Sequence, residues 1–284
     1  MASAAVLPVV ASQIERSARR DWPVSTVIIA YDVRVRVRAD DAALLEKLEV
    51  RLPPGSVAAH AETFHLDYSI VSDPVGADSD NERRAYSGFA GTAAFALSVD
   101  EPTLLDAFES IVRFDIAVAT DWVFVHSGVV VWNGAAIAVP APSMHGKSRL
   151  VDALVRAGAI YYSDEYAVID SQGFVHPFQR PISLRTASGT VRRTMLRNPN
   201  FAGAVPLRLV VSTRYEPGAE WRPRRGTAAE ALLVLLSNTV RARLAPRETL
   251  RVLARAVARA ELLEGCRGEA ESVALLLLED QHEA

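Results

Sequence analysis

The stretch Ala141-Pro142-Ser143-Met144-His145-Gly146-Lys147-Ser148 decides the fold, because it follows one apolar run and opens another of helical spacing. Apart from Ala141, where glycine is usual, it matches the phosphate-loop pattern. In such a loop the backbone N–H groups and the N-terminus of the following helix face an anion. The lysine reaches the outer phosphates, and the hydroxyl after it ligates Mg²⁺. Alanine tolerates a positive φ poorly, so the loop entrance is expected to differ in shape from one that begins with glycine. Downstream, Leu150, Val151, Leu154 and Val155 form the apolar stripe of a helix, with Gly158 placed to cap its end. Upstream, Trp122 to Trp132 is apolar on both alternate sets and reads as a strand buried on both faces. Asn133-Gly134 favours a tight hairpin turn, so Ala135 to Val139 should return antiparallel and deliver the chain into the loop.

Lys147 carries more information than a lysine ordinarily would. Of the 31 basic residues only Lys47 and Lys147 are lysines, and a compact ammonium on a flexible stem reaches between phosphates as a planar guanidinium does not. The next strand, Ala159 to Tyr162, ends at Ser163-Asp164-Glu165, which places Asp164 and Glu165 16 and 17 residues after Ser148. Two adjacent carboxylates at a strand end are ordinarily a solvated turn. Beside a phosphate loop they can divide labour, one accepting a proton from a hydroxyl nucleophile and the other holding Mg²⁺. His126 falls in the apolar strand before the hairpin, where a lone histidine is more often a core residue than a functional one. His145 occupies a variable position of the loop, and His60, His65, His176 and His282 lack the spacing of a metal site.

Further out, Tyr166 to Asp170 should pair with Phe174 to Pro177 across the Ser171-Gln172-Gly173 turn. Leu207 to Thr213 reads as a buried strand, Thr227-Ala228-Ala229-Glu230 as a capping box opening a helix through Thr239, and Pro246 as the first turn of another helix. On the other side, Ser25 to Arg38 alternates Val27, Ile29, Tyr31, Val33, Val35 and Val37 with other residues, several of them arginine, and reads as one strand. A helix over Asp40 to Arg51 is ended by Pro53-Pro54-Gly55. Strands are expected at Glu62 to Val71 and Tyr86 to Val99, separated by a polar loop over Ser72 to Arg84, and Glu101 to Ala119 fits an amphipathic helix. The expected fold is α/β, with a mixed α/β domain over residues 1–115 and a phosphate-loop domain with a mixed sheet over 116–284.

Half of the 284 residues are hydrophobic, enough for a sizeable core, and 31 basic against 34 acidic residues give a net charge of −3. That balance argues against a nucleic-acid binder working through a broad basic surface. Cys266 is the single cysteine and can form neither an intrachain disulfide nor a cysteine zinc cluster, so the cytoplasm is the natural compartment. The apolar run Ala4 to Ala11 has no basic residue before it and is far too short to span a bilayer, so neither a signal peptide nor a membrane helix is expected.

Val125-His126-Ser127-Gly128-Val129-Val130-Val131, the Asn133-Gly134 hairpin, Gly146-Lys147-Ser148 and Ser163-Asp164-Glu165 together resemble the C-terminal catalytic domain of HPr serine kinase/phosphorylase and its shorter bacterial relatives. Those relatives share a core with phosphoenolpyruvate carboxykinase. The resemblance is strongest over Trp122 to Arg185 and continues more weakly through Arg214 to Ala219 and Ala229 to Val240. It implies a kinase that uses ATP and Mg²⁺. Ala141 to Ser148, Arg149 and Arg185 would surround the nucleoside triphosphate, with Lys147 and Arg185 neutralising its outer charge. Ser148 and Glu165 would hold the magnesium, Asp164 would act as base, and His126 would orient Asp164.

The acceptor implied is the hydroxyl of a small metabolite or peptide, and since such relatives are often oligomers the resemblance also implies a homo-oligomer. This chain departs from the family pattern at Ala141, at Glu165 where a second aspartate is usual, and in having no Gly-rich signature after the acidic pair. HPr itself is therefore not the expected substrate. The residues leave open a non-catalytic nucleotide-binding regulator, a protein-serine kinase acting on a protein partner, and ATP, GTP or pyrophosphate as donor. A carboxykinase-like enzyme is disfavoured because no second metal-binding set of His, Lys and Asp is visible.

Overall fold

The structure, a computed structural model, describes residues 22–72, 84–140, 146–185, 191–194, 196 and 203–280. It is a mixed α/β fold in which the chain divides into two compact units, Met1–Thr120 and Asp121–Ala284. The division follows the end of the amphipathic helix rather than residue 115 inside it, because that helix runs unbroken to Ala119. The segment expected to begin the chain without a leader and most of the polar loop after Ser72 lie outside the described residues.

In the first unit β1 (Val24–Ala30), β2 (Val33–Ala39), β3 (Val57–Ala58), β4 (Leu66–Ser72), β5 (Tyr86–Ala90) and β6 (Ala93–Val99) form one sheet in the order β3-β1-β2-β4-β5-β6. Helices α1 (Ala42–Glu49) and α2 (Glu101–Ala119) bury Leu44, Leu48, Leu104, Phe108 and Val112 against Val35, Val37, Tyr68 and Ile70 of the strands. Two stretches expected to be single strands are hairpins, β1–β2 and β5–β6. Val27, Ile28, Ile29 and Ala30 are all apolar, so the alternation could be followed on either set. The buried set is Ile28 and Ala30, and the turn at Tyr31-Asp32 shifts it to Val33, Val35 and Val37. Both turn residues have positive φ, 50° and 65°, the backbone of a two-residue hairpin without its usual Asn-Gly signature.

The second unit contains β7 (Val123–Trp132), β8 (Ala135–Pro140), β9 (Ile160–Ser163), β10 (Tyr166–Ile169), β11 (Phe174–His176), β12 (Ile182–Arg185), β13 (Val191–Thr194), β14 (Val205–Tyr215), β15 (Arg224–Gly226) and β16 (Glu261–Arg267). Its helices are α3 (Lys147–Arg156), α4 (Ala228–Ser237), α5 (Pro246–Ala256) and α6 (Ala270–Asp280). The main sheet runs β11-β10-β7-β8-β14-β16-β15, with β9 also paired to β7 and β12–β13 forming a separate ribbon. Leu150, Val151 and Leu154 of α3 and Val273 and Leu277 of α6 pack with Val130, Ile137, Val139 and Leu209. Leu235 of α4 and Val252 and Leu253 of α5 pack with the alternate set, Val125, Val129, Ala138 and Val210. Both sets of β7 are therefore buried, which is why its sequence shows no polar alternation.

The β7–β8 hairpin turns on Asn133 and Gly134 with φ 49° and 75°, and its register runs from Trp132 opposite Ala135 to Ser127 opposite Pro140. The β10–β11 hairpin closes across Ser171 to Gly173, Thr227 and Glu230 make both bonds of the capping box, and Pro246 opens α5. Strand β14 lies parallel to β8 and β16 lies parallel to β14. Pro140, Tyr215 and Arg267 thus end three neighbouring parallel strands on one edge, the edge from which the chain leads into α3. Ligands of α/β sheets bind outside the carboxyl ends of such strands.

Candidate active site

Two of the segments singled out in the sequence flank one point of β7. Ser127 lies opposite Pro140, the last residue before the loop, and its N–H donates to the Glu165 carbonyl at 3.1 Å. Val129 lies opposite Ser163, where β9 delivers the acidic pair. Ser163 shapes that turn: its buried Oγ accepts the N–H groups of Glu165 and Tyr166 at 3.0 and 2.9 Å. Between these contacts Gly128 faces α3, and a Cβ there would stand 2.4 Å from Val151 Cγ2 and 3.2 Å from Lys147 Cγ. The helix that carries Lys147 rests on bare backbone. Gly128→Ala is therefore expected to cost about 1–3 kcal/mol through overpacking. Urea unfolding measures this, and an unchanged midpoint would mean that α3 does not pack so closely.

Ala141, Pro142, Ser143, Met144 and His145 lie outside the described residues. Gly146 is the N-cap of α3 with φ 76°, and it makes no side-chain hydrogen bond to the first turn, leaving that turn's N–H groups suited to an anion. The Ser148 hydroxyl donates to Asp164 Oδ2 at 2.8 Å. The other oxygen, Asp164 Oδ1, is buried with no hydrogen-bond partner among the described residues. Burial pushes the Asp164 pKa up to about 6, against the opposing pull of the Ser148 hydroxyl, the Lys147 charge and the nearby Ser183 backbone. Burial also lowers the Lys147 pKa, while the charges of Asp164 and Glu165 raise it. Each charge is costly alone and partly compensated by the other.

The remaining expected residues divide. Glu165 Oε2 accepts from Arg180 at 2.7 Å. His126 is the exposed side chain of a strand otherwise buried or half-buried, so it is not a core histidine. Its ring lies 4.8 Å from the Tyr166 ring, and among the described residues it makes no hydrogen bond to Asp164. Neighbouring atoms still strip enough water from it to lower its pKa; the Lys147 charge adds to this and the Glu165 backbone opposes it. Arg149 is exposed on the first turn of α3, and Arg185 closes β12 with its side chain outside the described residues.

No family model matches this chain, and no curated protein matches it. The chemistry of the site is therefore argued from its own groups. The Ser148 hydroxyl and the carboxylates of Asp164 and Glu165 are hard oxygen donors of the kind Mg²⁺ shares with phosphate oxygens. Among the described residues no group of three or more His, Cys, Asp or Glu is placed to hold a metal without such help. Among them also, no helix is long and apolar enough to cross a membrane.

Three further residues carry no individual sequence signal, Tyr215 lying only within the weakly matching stretch Arg214 to Ala219. Arg180 holds Glu165 from 15 positions away. Arg267, 2 % exposed, donates to the carbonyls of Gly146 at 2.8 Å and Gly268 at 3.0 Å. A Cβ on Gly146 would lie 2.7 Å from Arg267 Nη2, so glycine is needed there both for its φ and for this approach. Tyr215, at the end of β14, is the third.

Proposed function

We propose that this chain is an ATP- and Mg²⁺-dependent kinase with a phosphate loop of the HPr kinase kind, transferring the γ-phosphoryl group to a hydroxyl of a small metabolite or peptide. The observation that carries this reading is the 2.8 Å hydrogen bond from Ser148 to Asp164. It sets the hydroxyl that follows the loop lysine against an acid from a separate strand end, the pairing a magnesium-nucleotide site requires. Ala141 to Ser148 would cradle the phosphates, with Arg149 and Arg185 around them and Lys147 on the outer oxygens. Ser148 and Glu165 would hold Mg²⁺, Glu165 by exchanging Arg180 for it, and the metal when bound would neutralise charge on the β- and γ-oxygens. Asp164, with its pKa pushed up to about 6, would be ionised at neutral pH and basic enough to take the acceptor proton. His126, neutral at pH 7, would support the acidic pair from the Glu165 side.

Calorimetric titration and thermal shift with ATP and Mg²⁺ test the binding half of this reading; saturable heat and a raised melting temperature are expected. Absence of both with every nucleoside triphosphate sinks it. Transfer of radiolabel to serine, small hydroxylated metabolites or peptides tests the other half, and tight nucleotide binding with no transfer to any hydroxyl would make the chain a nucleotide-binding regulator instead.

A further inference from the structure

The loop end of α3 has two sides. On one, Ser148 meets Asp164. On the other, β14 and β16 bring Tyr215 and Arg267 up to Gly146, where a Cβ would lie 3.9 Å from Tyr215 Cβ and the Gly146 carbonyl accepts from Arg267 at 2.8 Å. Tyr215 is 42 % exposed at the end of a strand whose middle is buried. Its ring is held in place although it is exposed: the hydroxyl donates to Glu269 Oε1 at 2.9 Å, and the Arg267 guanidinium lies 5.6 Å from the ring centroid. Arg267 is fully buried, and its Nε has no partner among the described residues. A buried guanidinium with an unused donor is a poor stabilising device, but its charge lies where an anion on the helix N-terminus would feel it. Arg149 is near enough for its charge to act on both Tyr215 and Arg267.

An exposed aromatic face, fixed by a hydrogen bond and backed by a cation, is a surface for another π-system. Its place opposite the acidic side gives a bound donor a direction. We propose that Tyr215 is the stacking platform for the base of a nucleoside triphosphate whose phosphates run past Gly146 along the start of α3 toward Asp164. This rests on the kinase reading above and adds to it the place where the base of the donor is held, which sets a nucleotide apart from pyrophosphate or another inorganic polyphosphate.

The test is calorimetric titration of the full chain, in Mg²⁺, with ATP and separately with tripolyphosphate, for the wild type, Tyr215→Ala and Tyr215→Phe. Tyr215→Ala should weaken ATP about tenfold, within the range that removal of one base-stacking aromatic produces, and leave tripolyphosphate unchanged. Tyr215→Phe keeps the ring and should keep the ATP affinity. Because Tyr215 is exposed, all three proteins should fold, which their melting temperatures would establish. Equal weakening of both ligands, or unchanged ATP binding in Tyr215→Ala, overturns the platform. So does a wild type that binds tripolyphosphate as tightly as ATP, although the phosphate-loop reading then stands. A wild type that binds neither overturns both.

Discussion

Lys147→Ala is expected to abolish nucleotide-dependent turnover, with a fall in kcat of ~10²–10³-fold or more, the scale seen when one preorganised electrostatic donor is removed from a transition state. Lys147 is the cation on the loop helix whose charge is felt at Asp164. Its stem lies along the backbone at Gly128. Part of the energy for holding that charge is already spent in the free protein, where burial opposes it and Asp164 and Glu165 sustain it. A ligand phosphate would then meet a cation that needs little further desolvation. Lys147→Arg should rescue little, because a planar fork does not occupy the volume of a point charge on a straight stem. Steady-state kinetics with labelled ATP on an accepted hydroxyl would read the loss; wild-type turnover in Lys147→Ala would remove the loop from the mechanism.

The second large effect is expected at Asp164, and it has two parts of opposite sign. Asp164→Asn keeps the shape of the side chain and should lower turnover by ~10²-fold or more, the usual cost of a lost general base, with ATP affinity nearly intact. The same change should stabilise the fold at neutral pH. Folding raises the carboxyl pKa from its ordinary 3.8 to about 6. Below 3.8 the group is protonated in both folded and unfolded chains and contributes nothing. As pH rises toward 6 the unfolded chain ionises freely while the folded one resists, and above 6 the full destabilisation of about 3 kcal/mol is present. Asparagine removes it, so the gain in melting temperature over wild type should grow from nothing in acid to a plateau above pH 6. In parallel, wild-type kcat/KM should rise with pH through an apparent pKa near 6. A variant no more stable than wild type at pH 7 would refute the desolvation of Asp164, and one with wild-type turnover would refute its role as base.

The parts of this arrangement that could be read in advance are those built from neighbours in the chain. Asn133-Gly134 fixes the β7–β8 hairpin by its own backbone preferences, and Thr227 with Glu230 closes its cap within one turn. Ser148 and Asp164 are separated by a single helix and strand, so motif and strand-end reasoning reached them. The β1–β2 turn was illegible because Tyr31 and Asp32 take up positive φ under the pressure of pairing on both sides, not from propensity. Arg180 meets Glu165 through the packing of β9 against the segment after β11, a contact no local pattern announces. Tyr215 and Arg267 reach the loop only through parallel pairing, which leaves no local trace. His126 has apolar neighbours along the chain, yet its ring lies exposed beside Tyr166, the residue that follows the acidic pair.

The parallel neighbours β8, β14 and β16 also set a timetable. Ser148 and Asp164 are 16 residues apart, whereas the contact that fastens Gly146 to Arg267 spans 121. Contacts between distant segments form late, since the intervening chain must be ordered before they are rewarded. During synthesis the wait is at least the time taken to make the roughly one hundred residues from Asp164 to Arg267, or ~5–20 s at ordinary elongation rates. On the ribosome, then, the contact that fastens Gly146 to Arg267 forms only once β16 has been made, long after Ser148 and Asp164 have both emerged.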